Sequence, residues 1–338
     1  MFSRNFTFKI IAQTDDKFKD FSPYVASIND NGEVAFQAEL NNGVTGIYTG
    51  SGEEIKIIAE SSENDFNNFY SHPDINNIGS ICFYAELKSG LHGLFLFKDG
   101  KAEILCDTTS VYKDIAPLGP TINENDVIAF RAICAGDQYG IYISDNKEII
   151  KIAETGNIYK DFFGLPVVNK NGDVAYRADL IDGTHGIFTN KTESPETTTE
   201  LKNSIFCIGS FIGFNDNGTI VFNADNNKKS GGIYKISKGK ITTIADSNDS
   251  LKNFRSAFIN NKEEIIFYAN SCKGITGLYY RSEKDNKIYS IISKGDKLFD
   301  SVVQEIVMNH VSQNDRNQLA VRLNFENNKQ IIIRVDPV

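Results

Sequence analysis

The sequence predicts an all-β chain: one seven-bladed β-propeller of four-stranded antiparallel blades that forms a single domain over residues 1–338. Three observations lead to this prediction. One pattern recurs seven times at nearly constant spacing, each copy contains four short strand-like runs, and the two ends of the chain complement each other as parts of one blade.

The recurring pattern starts at an asparagine and continues through a turn into a strand of the type Val-Ala-Phe, as in the first copy, Ile28 to Phe36. The spacings between successive asparagines are 47, 47, 46, 46, 45 and 54 residues. The asparagines are Asn29, Asn76, Asn123, Asn169, Asn215, Asn260 and Asn314. Asparagine bonds its own backbone two residues further on, and glycines such as Gly32 and Gly79 then supply a positive φ. We therefore interpret these residues as structural.

The remainder of each unit predicts a four-stranded meander. A Gly-x-x-Gly loop and an aromatic strand such as Ile47-Tyr48 follow, and then a fourth strand such as Ile55 to Ala59. Val34 and Phe36 point to one side of the sheet and Ala35 to the other, so both faces are apolar. Radial stacking of similar sheets buries both faces. In the fourth unit the polar stretch 192–199 stands where the fourth strand is expected.

The chain ends predict how the ring closes. The seventh unit stops after Ile331 to Val335, a third-strand equivalent, while Phe8 to Ala12 matches the fourth-strand pattern without three strands before it. We expect residues 8–12 to complete the last blade, which would remove an exposed sheet edge.

The order Asn-x-x-Gly-x-Val-Ala-Phe, then Gly-Ile-Tyr, then Ile-Ala resembles a bacterial family of seven-repeat propeller proteins of unassigned function. It is more distantly similar to TolB-type propellers. The resemblance implies the blade architecture and supplies no catalytic residues.

Composition narrows the choice of partners. A formal charge of −9 and a pI of about 5.1 disfavour nucleic acid, and no stretch approaches the ~20 apolar residues of a membrane span. The first residues lack a standard signal peptide, so we expect a cytoplasmic protein, or one exported by another route. Five widely spaced cysteines predict free thiols. We expect a monomer and predict no cofactor.

Propeller sites collect on the face that carries the interblade loops or in the central channel. Those loops share a signature, Phe18 to Phe21 in the first blade, which contains Asp20, Asp114 and Asp161 in three blades. These carboxylates could ring the channel mouth and bind a cation or a polar ligand. Alternatively they cap the loop backbone while the aromatic residues wedge between blades.

Departures from the repeat are a second source of candidates. The residue after Val-Ala-Phe is Arg131 in blade three and Arg177 in blade four, and Asp179 follows two positions later. Arginines and carboxylates at this level could form ion pairs between blades. They could instead line a pocket for an anionic or sugar-like ligand, because arginine offers paired donors.

Three of the four histidines are further candidates. His92 and His185 occupy the same place in the Gly-x-x-Gly loops of blades two and four, and His72 precedes an inner strand. A metal site would need three or four ligands to converge, and the sequence predicts none.

No catalytic motif is present, so two functions remain open. The first is a binding or scaffold propeller that recognises a protein or a small polar ligand on its loop face. The second is a hydrolase or lyase with carboxylates, histidine and arginine at the channel mouth. Propellers as a fold host both.

Overall fold

Each repeat forms one antiparallel sheet in the computed structural model, and the seven sheets are the blades of a propeller. This arrangement confirms the predicted fold class. The structure describes residues 2–3, 6–62, 65–109, 111–115, 118–145, 148–191, 205–226, 231–247 and 250–338. The stretch 192–199, expected to interrupt blade four, lies outside the described residues. The described part contains no helix that is long and apolar enough to cross a membrane.

The strands follow the repeats in order. The first two are β1 (Phe2–Ser3) and β2 (Phe6–Gln13). Blade one contains β3 (Phe18–Asp20), β4 (Ser27–Ile28), β5 (Val34–Leu40), β6 (Thr45–Gly50) and β7 (Ile55–Glu60). Blade two contains β8 (Phe66–Phe69), β9 (Asp74–Ile75), β10 (Ile81–Leu87), β11 (His92–Lys98) and β12 (Lys101–Asp107). Blade three contains β13 (Tyr112–Ile115), β14 (Thr121–Ile122), β15 (Ile128–Cys134), β16 (Tyr139–Asp145) and β17 (Glu148–Glu154).

The remaining blades use longer inner strands. Blade four contains β18 (Tyr159–Val168), β19 (Val174–Leu180) and β20 (His185–Thr189). Blade five contains β21 (Ile205–Phe214), β22 (Ile220–Asn226), β23 (Gly232–Ser237) and β24 (Lys240–Asp246). Blade six contains β25 (Leu251–Ile259), β26 (Ile265–Ser271), β27 (Thr276–Arg281) and β28 (Ile288–Ser293). Blade seven contains β29 (Lys297–Leu298), β30 (Ser301–Val307), the 3₁₀ helix η1 (His310–Ser312), β31 (Leu319–Phe325) and β32 (Gln330–Pro337).

The N-terminal strand completes the last blade, as predicted. β2 pairs antiparallel with β32, with Phe8 opposite Val335. The short β1 adds a contact that the sequence did not indicate, because it pairs parallel with β28, placing Phe2 opposite Tyr289 of blade six. The first residues therefore join two neighbouring blades.

The apolar core lies between blades. Phe36 stacks on Tyr48, with ring centroids 5.8 Å apart, on one side of blade one. Ala35 and Ile47 lie on the other side and pack against blade two. Similar aromatic stacks recur in blades two to six. Blade seven replaces the pair with the aliphatic Val321 and Ile333 in a cluster shared with blade six.

The seven repeat asparagines form a closed ring of hydrogen bonds. In each, the side-chain amide donates to the backbone carbonyl of the asparagine on the next blade, at 2.8–3.3 Å. The last bond runs from Asn314 back to Asn29. The side-chain oxygen stabilises its own turn, as in Asn123, which accepts the N–H groups of Asn125 and Val127. One buried side chain thus shapes a turn and joins two blades.

Deletion of residues 1–13 should leave β32 as an unpaired edge, because β2 is lost. We expect aggregation and a Tm several degrees lower, measured by light scattering and thermal unfolding. Deletion of residues 1–5 is the matched control, since it removes β1 and keeps β2. Equal solubility and Tm for the longer deletion and the full chain would contradict this account of ring closure.

Asn123→Asp should lower the free energy of unfolding by about 1–3 kcal/mol, because the variant keeps the acceptor oxygen but loses the donor to Asn169. Urea denaturation at neutral pH measures the change. Asn42→Asp, in an exposed turn, is the control and should stay within about 0.5 kcal/mol of the parent. An unchanged midpoint for Asn123→Asp would show that the ring contributes little.

Candidate functional site

The connections between strands fall on two faces. The turns that begin at the repeat asparagines, between the first and second strands of each blade, lie on what we term the asparagine face. The interblade connections and the turns between second and third strands lie on the opposite face, here called the loop face. Most of the candidates from the sequence belong to the loop face.

The three interblade carboxylates each serve their own loop. Asp20, Asp114 and Asp161 accept backbone N–H groups one or two residues further on, at 2.7–2.8 Å. Asp20 also accepts the side-chain amide of Gln330 at 2.7 Å. These contacts leave Asp114 and Asp161 with acceptor capacity toward the candidates on neighbouring strands.

The polar residue after Val-Ala-Phe directs its head group toward the inner strand of the next blade. In blade seven, Arg322 donates to the carbonyl of Tyr24 at 3.0 Å and to the hydroxyl of Ser22 at 2.8 Å. In blade six, the Tyr268 hydroxyl accepts the N–H of Met308 at 2.8 Å. Asn223 uses both of its side-chain atoms in the same way in blade five. On these blades the position joins neighbouring blades through backbone atoms and the Ser22 hydroxyl rather than through carboxylates.

In blades one to four, the side chain at this position leaves polar atoms without hydrogen-bond partners. Among the described residues, Gln37 (Oε1), Tyr84 (Oη) and Arg131 (Nε) each have one buried side-chain atom without a hydrogen-bond partner. Arg177 has two, Nε and Nη1, although Nη1 forms an ion pair with Asp179. The Tyr70 hydroxyl, directly after the inner strand β8 of blade two, has no partner either. Buried polar atoms are nearly always bonded, so such a group of exceptions on one side of the ring requires an explanation.

Arg131 connects blade three to blade four. Its Nη1 donates to the carbonyl of Gly164 at 2.9 Å. Burial lowers the pKa of its guanidinium, and the nearby Asp161 carboxylate opposes that shift. The side chain is only partly buried. Arg131 therefore keeps one donor available beside an acidic neighbour.

Arg177 forms the centre of a polar cluster in blade four. Its guanidinium lies 3.9 Å from the ring centroid of Phe163, and its Nη1 pairs with Asp179 Oδ1 at 2.5 Å. The same carboxylate oxygen lies 2.5 Å from Nδ1 of His185, whose side chain is 40% exposed. Arg177 is buried, so it holds Asp179 in place while His185 faces solvent.

His92 has a looser counterpart of this arrangement between blades two and three. Its Nδ1 lies 3.2 Å from Asp114 Oδ1, and its ring lies 5.2 Å from that of Tyr70. Burial raises the pKa of Tyr70, and the charge of Asp114 raises it further. Tyr70 thus keeps its proton and can donate it to an acceptor. The structure brings His92 and His185 each to a carboxylate, on different blades.

His72 lies in the channel, away from that surface. The extra residues of the longer seventh repeat form η1, which packs against the inner strands of blades one, five and six. Asn309, which caps η1, contacts His72 Nε2 of blade two through its side-chain amide at 3.4 Å. η1 therefore fills the middle of the channel. Burial lowers the pKa of His72 to about 4, so its ring is neutral and accepts this contact.

A cavity of about 160 Å³ opens from η1 to the asparagine face. His310 lines it together with the repeat asparagines and the residues on either side of them, and most of its exposed lining is polar; we term the residues before the repeat asparagines the collar. The collar consists of Ile28, Ile75, Ile122, Val168, Phe214 and Ile259, with Gln313 at the equivalent place in blade seven.

The rim of this cavity carries a second ring of bonds between blades. The N–H of the residue after each asparagine donates to a side-chain oxygen of its counterpart on the next blade, at 2.6–2.9 Å, for six of these residues. Lys170 interrupts the series, because its ammonium group cannot accept the N–H of Glu124. Across the described part of the chain, no three His, Cys, Asp or Glu side chains are grouped to hold a metal ion.

Sequence reasoning missed two parts of these sites. The rim and collar residues flank the repeat asparagines. The sequence indicated those asparagines and the glycines after them only as structural turn residues, so their neighbours were not singled out. The sequence did carry a signal for η1, because the last spacing between repeat asparagines, 54 residues, exceeds the other spacings by at least seven.

Comparisons with known proteins identify the architecture. No family model matches the sequence, and no curated protein matches it. An oligogalacturonate lyase from Vibrio parahaemolyticus is similar in structure, with a TM-score of 0.60 and 11% identity over 99% of this chain and 97% of that one. A chain of the mitotic checkpoint complex has a TM-score of 0.55 and 10% identity over 99% and 94%.

A peptidase from Pyrococcus horikoshii, an acylaminoacyl peptidase, is similar with a TM-score of 0.55 and 13% identity. The match covers 93% of this chain and 53% of the peptidase, so this chain corresponds to about half of that protein. At these identities the likeness establishes the propeller fold alone.

Acid should weaken the channel contacts. The pKa of His72 and that of His310 are both lowered by burial to about 4, below the ordinary 6.5. The stability that comes from keeping these rings neutral is fully present above pH 6.5 and is lost as the pH falls toward 4. Urea denaturation between pH 4 and 7 should show this loss.

His72→Gln should reduce the loss, because glutamine retains an acceptor for Asn309 and does not titrate. His92→Gln, at an exposed histidine, is the control, and its free energy of unfolding should change with pH as steeply as that of the parent. If the free energy of unfolding of His72→Gln changes with pH as steeply as that of the parent, His72 does not contribute to the acid sensitivity.

Proposed function

We propose that this protein is a binding propeller that takes a small anionic polar ligand at the loop-face end of blades one to four. The observation that carries the proposal is the uneven use of one repeat position. Blades five to seven use the polar atoms of this side chain in bonds to the next blade, whereas blades one to four leave at least one of them without a hydrogen-bond partner.

The chemistry of these atoms favours an anion. Arg131 and Arg177 each retain an unused Nε donor, and Tyr70 retains a protonated hydroxyl. A carboxylate would accept from such donors, and charged partners strengthen each hydrogen bond. Arg131 and Tyr70 are only partly buried, but their Nε and hydroxyl atoms are themselves covered, so a ligand would reach these donors only after the side chains move.

The neighbouring pairs would add selectivity. Asp179 with His185, and Asp114 with His92, place acceptors and ring nitrogens around the donors. Such a mixture suits a ligand that has hydroxyl groups besides its charge. Arg177 would act as a positioning residue, since its buried guanidinium fixes Asp179.

An enzyme is the second candidate, and the Asp179–His185 pair favours it. A histidine oriented by a carboxylate can take up a proton, which is the arrangement used in general base catalysis. A lyase and peptidases share the fold, although this does not transfer their reactions. If the protein is an enzyme, it should convert a bound ligand to product. His185→Gln should then abolish this conversion while the ligand still binds.

The first test compares two arginines at one repeat position. Galacturonate is the probe and galactose is its neutral counterpart, both titrated by calorimetry. We expect galacturonate to bind the parent protein and Arg131→Ala to weaken binding at least tenfold, while the free energy of unfolding falls by only about 1 kcal/mol. Galactose should bind weakly to both.

Arg322→Ala is the matched control. It removes several bonds to blade one, so it should cost on the order of 3 kcal/mol of stability and leave affinity unchanged in the folded fraction. Arg131→Lys should behave like Arg131→Ala in binding, because lysine lacks the Nε donor. Equal binding by the parent and Arg131→Ala, or no binding of galacturonate by the parent, would contradict the proposal.

A further inference from the structure

Four lysines at the loop-face end of blade six have no ion-pair partner among the described residues. All four are exposed, and we term them the blade-six lysines: Lys252, Lys273, Lys294 and Lys297. At the same end of blade one, by contrast, the Nζ of Lys19 lies 2.6 Å from a carboxylate oxygen of Glu39. Blade six therefore presents positive charge on a chain whose formal charge is −9.

Blade six lacks the carboxylate that pairs with this lysine in blade one. Lys252 corresponds in the repeat to Lys19, but Asn270 stands in place of Glu39. The side-chain oxygen of Asn270 accepts the hydroxyl of Thr276 at 3.0 Å. An amide has no charge, so Lys252 has lost the counter-charge that its repeat position has elsewhere.

Lys273 replaces a capping residue in the turn between the second and third strands. In three other blades, a side-chain oxygen at this position accepts the N–H two residues further on, at 2.8–3.1 Å. Those residues are Asn42, Asp182 and Asn327. Lysine has no acceptor, and the N–H of Ile275 instead reaches the hydroxyl of Ser271 at 3.3 Å.

Lys294 replaces a second capping residue, at the end of the fourth strand. In blades one, two, three and seven, a hydroxyl at this position accepts an N–H of the third strand at 3.0–3.1 Å. These residues are Ser61, Thr108, Thr155 and Thr14. Blade six thus replaces two local hydrogen bonds with lysines that form no ion pair. A local rule that is broken without a local gain is typical of a functional surface.

The strand register sets the dimensions of this surface. Lys252 is opposite Asn270, Asn270 is opposite Thr276, and Lys294 donates its N–H to the carbonyl of Thr276 at 2.9 Å. Three strand spacings therefore separate the backbones of Lys252 and Lys294, which is about 14 Å. Ile275, which is 42% exposed, follows Lys273 in the same turn and adds an apolar contact.

The positive charge is confined to this blade. Exposed carboxylates lie at the corresponding level of both neighbours, Asp225 in blade five and Glu305 in blade seven. Asp296, between two of the lysines in the sequence, accepts the N–H of Ser293 at 2.7 Å. A membrane surface or a nucleic acid would extend over these carboxylates and be repelled by them. A short acidic segment would contact the lysines alone.

We infer that the loop-face end of blade six binds an acidic peptide segment of a partner protein, through the blade-six lysines and Ile275. In an extended peptide, alternate side chains lie about 7 Å apart on one side, so three alternating glutamates span the distance from Lys252 to Lys294. This surface is independent of the ligand site proposed for blades one to four.

The test is fluorescence anisotropy of the full chain with a fluorescein-labelled peptide, Glu-Leu-Glu-Leu-Glu-Gly. We expect saturable binding at one site that weakens as salt is added. The peptide Gln-Leu-Gln-Leu-Gln-Gly should not bind. Vesicles that contain phosphatidylserine and a twelve-residue oligothymidine are the other anionic probes. No binding of the glutamate peptide, or tighter binding of either other probe, would overturn the inference.

A double variant that restores the residue types of the other blades separates binding from stability. Lys273→Asn with Lys294→Thr removes two charges and returns both capping groups. We expect at least tenfold weaker binding of the glutamate peptide, with a Tm equal to or above that of the parent. A lower Tm would show that the two lysines stabilise the blade, which would contradict the inference.

Lys101→Asn with Lys240→Thr is the matched control. It removes the same charge from exposed lysines in the hairpins between the third and fourth strands of blades two and five. Its affinity for the glutamate peptide should equal that of the parent. If both double variants lose affinity equally, the peptide responds only to the net charge of the chain, and the inference is wrong.

Discussion

The structure depends on one repeated interaction, the buried amide of the repeat asparagine. Its oxygen accepts two N–H groups of its own turn, and its nitrogen donates to the next blade. An ionised aspartate would supply the acceptor but not the donor. Because the seventh asparagine donates to the first, the same bond that links neighbours also closes the ring. This ring fixes the positions of the rim hydrogen bonds, the collar and the loops along the channel axis.

Regular positions and irregular positions contribute differently to function. A side-chain type that repeats on most blades produces a nearly symmetric environment, such as the collar, which is apolar on six blades and carries Gln313 on the seventh. Asymmetric environments arise at positions where the residue type differs between repeats. Lys170 interrupts the rim, η1 lies in the channel and comes from one blade, and the residue after Val-Ala-Phe leaves buried polar atoms without a partner in blades one to four only. These irregular positions give a nearly symmetric scaffold two ends of different chemistry.

The two faces also differ in charge. On the loop face, Arg131 and Arg177 bring positive charge beside carboxylates, and the histidines are held by aspartates. On the asparagine face, the carboxylates that line the channel outnumber Lys170, the one lysine among the described residues of that lining. The two ends of the channel therefore present different polar groups, and η1 lies between them.

The sequence by itself determined the blade number, the strand order, the closing strand and the turn conformations. These follow from local alternation and spacing, which act within a few residues; Gly32 and Gly79, for example, adopt the positive φ that the turn pattern requires. Only the tertiary structure decided which side chains meet. Arg177 pairs within its own blade, Arg131 binds a carbonyl of the next one, and His72 lies against Asn309, 237 residues away. Such contacts depend on the radius of the ring and on the path of η1, and neither is encoded in any one repeat.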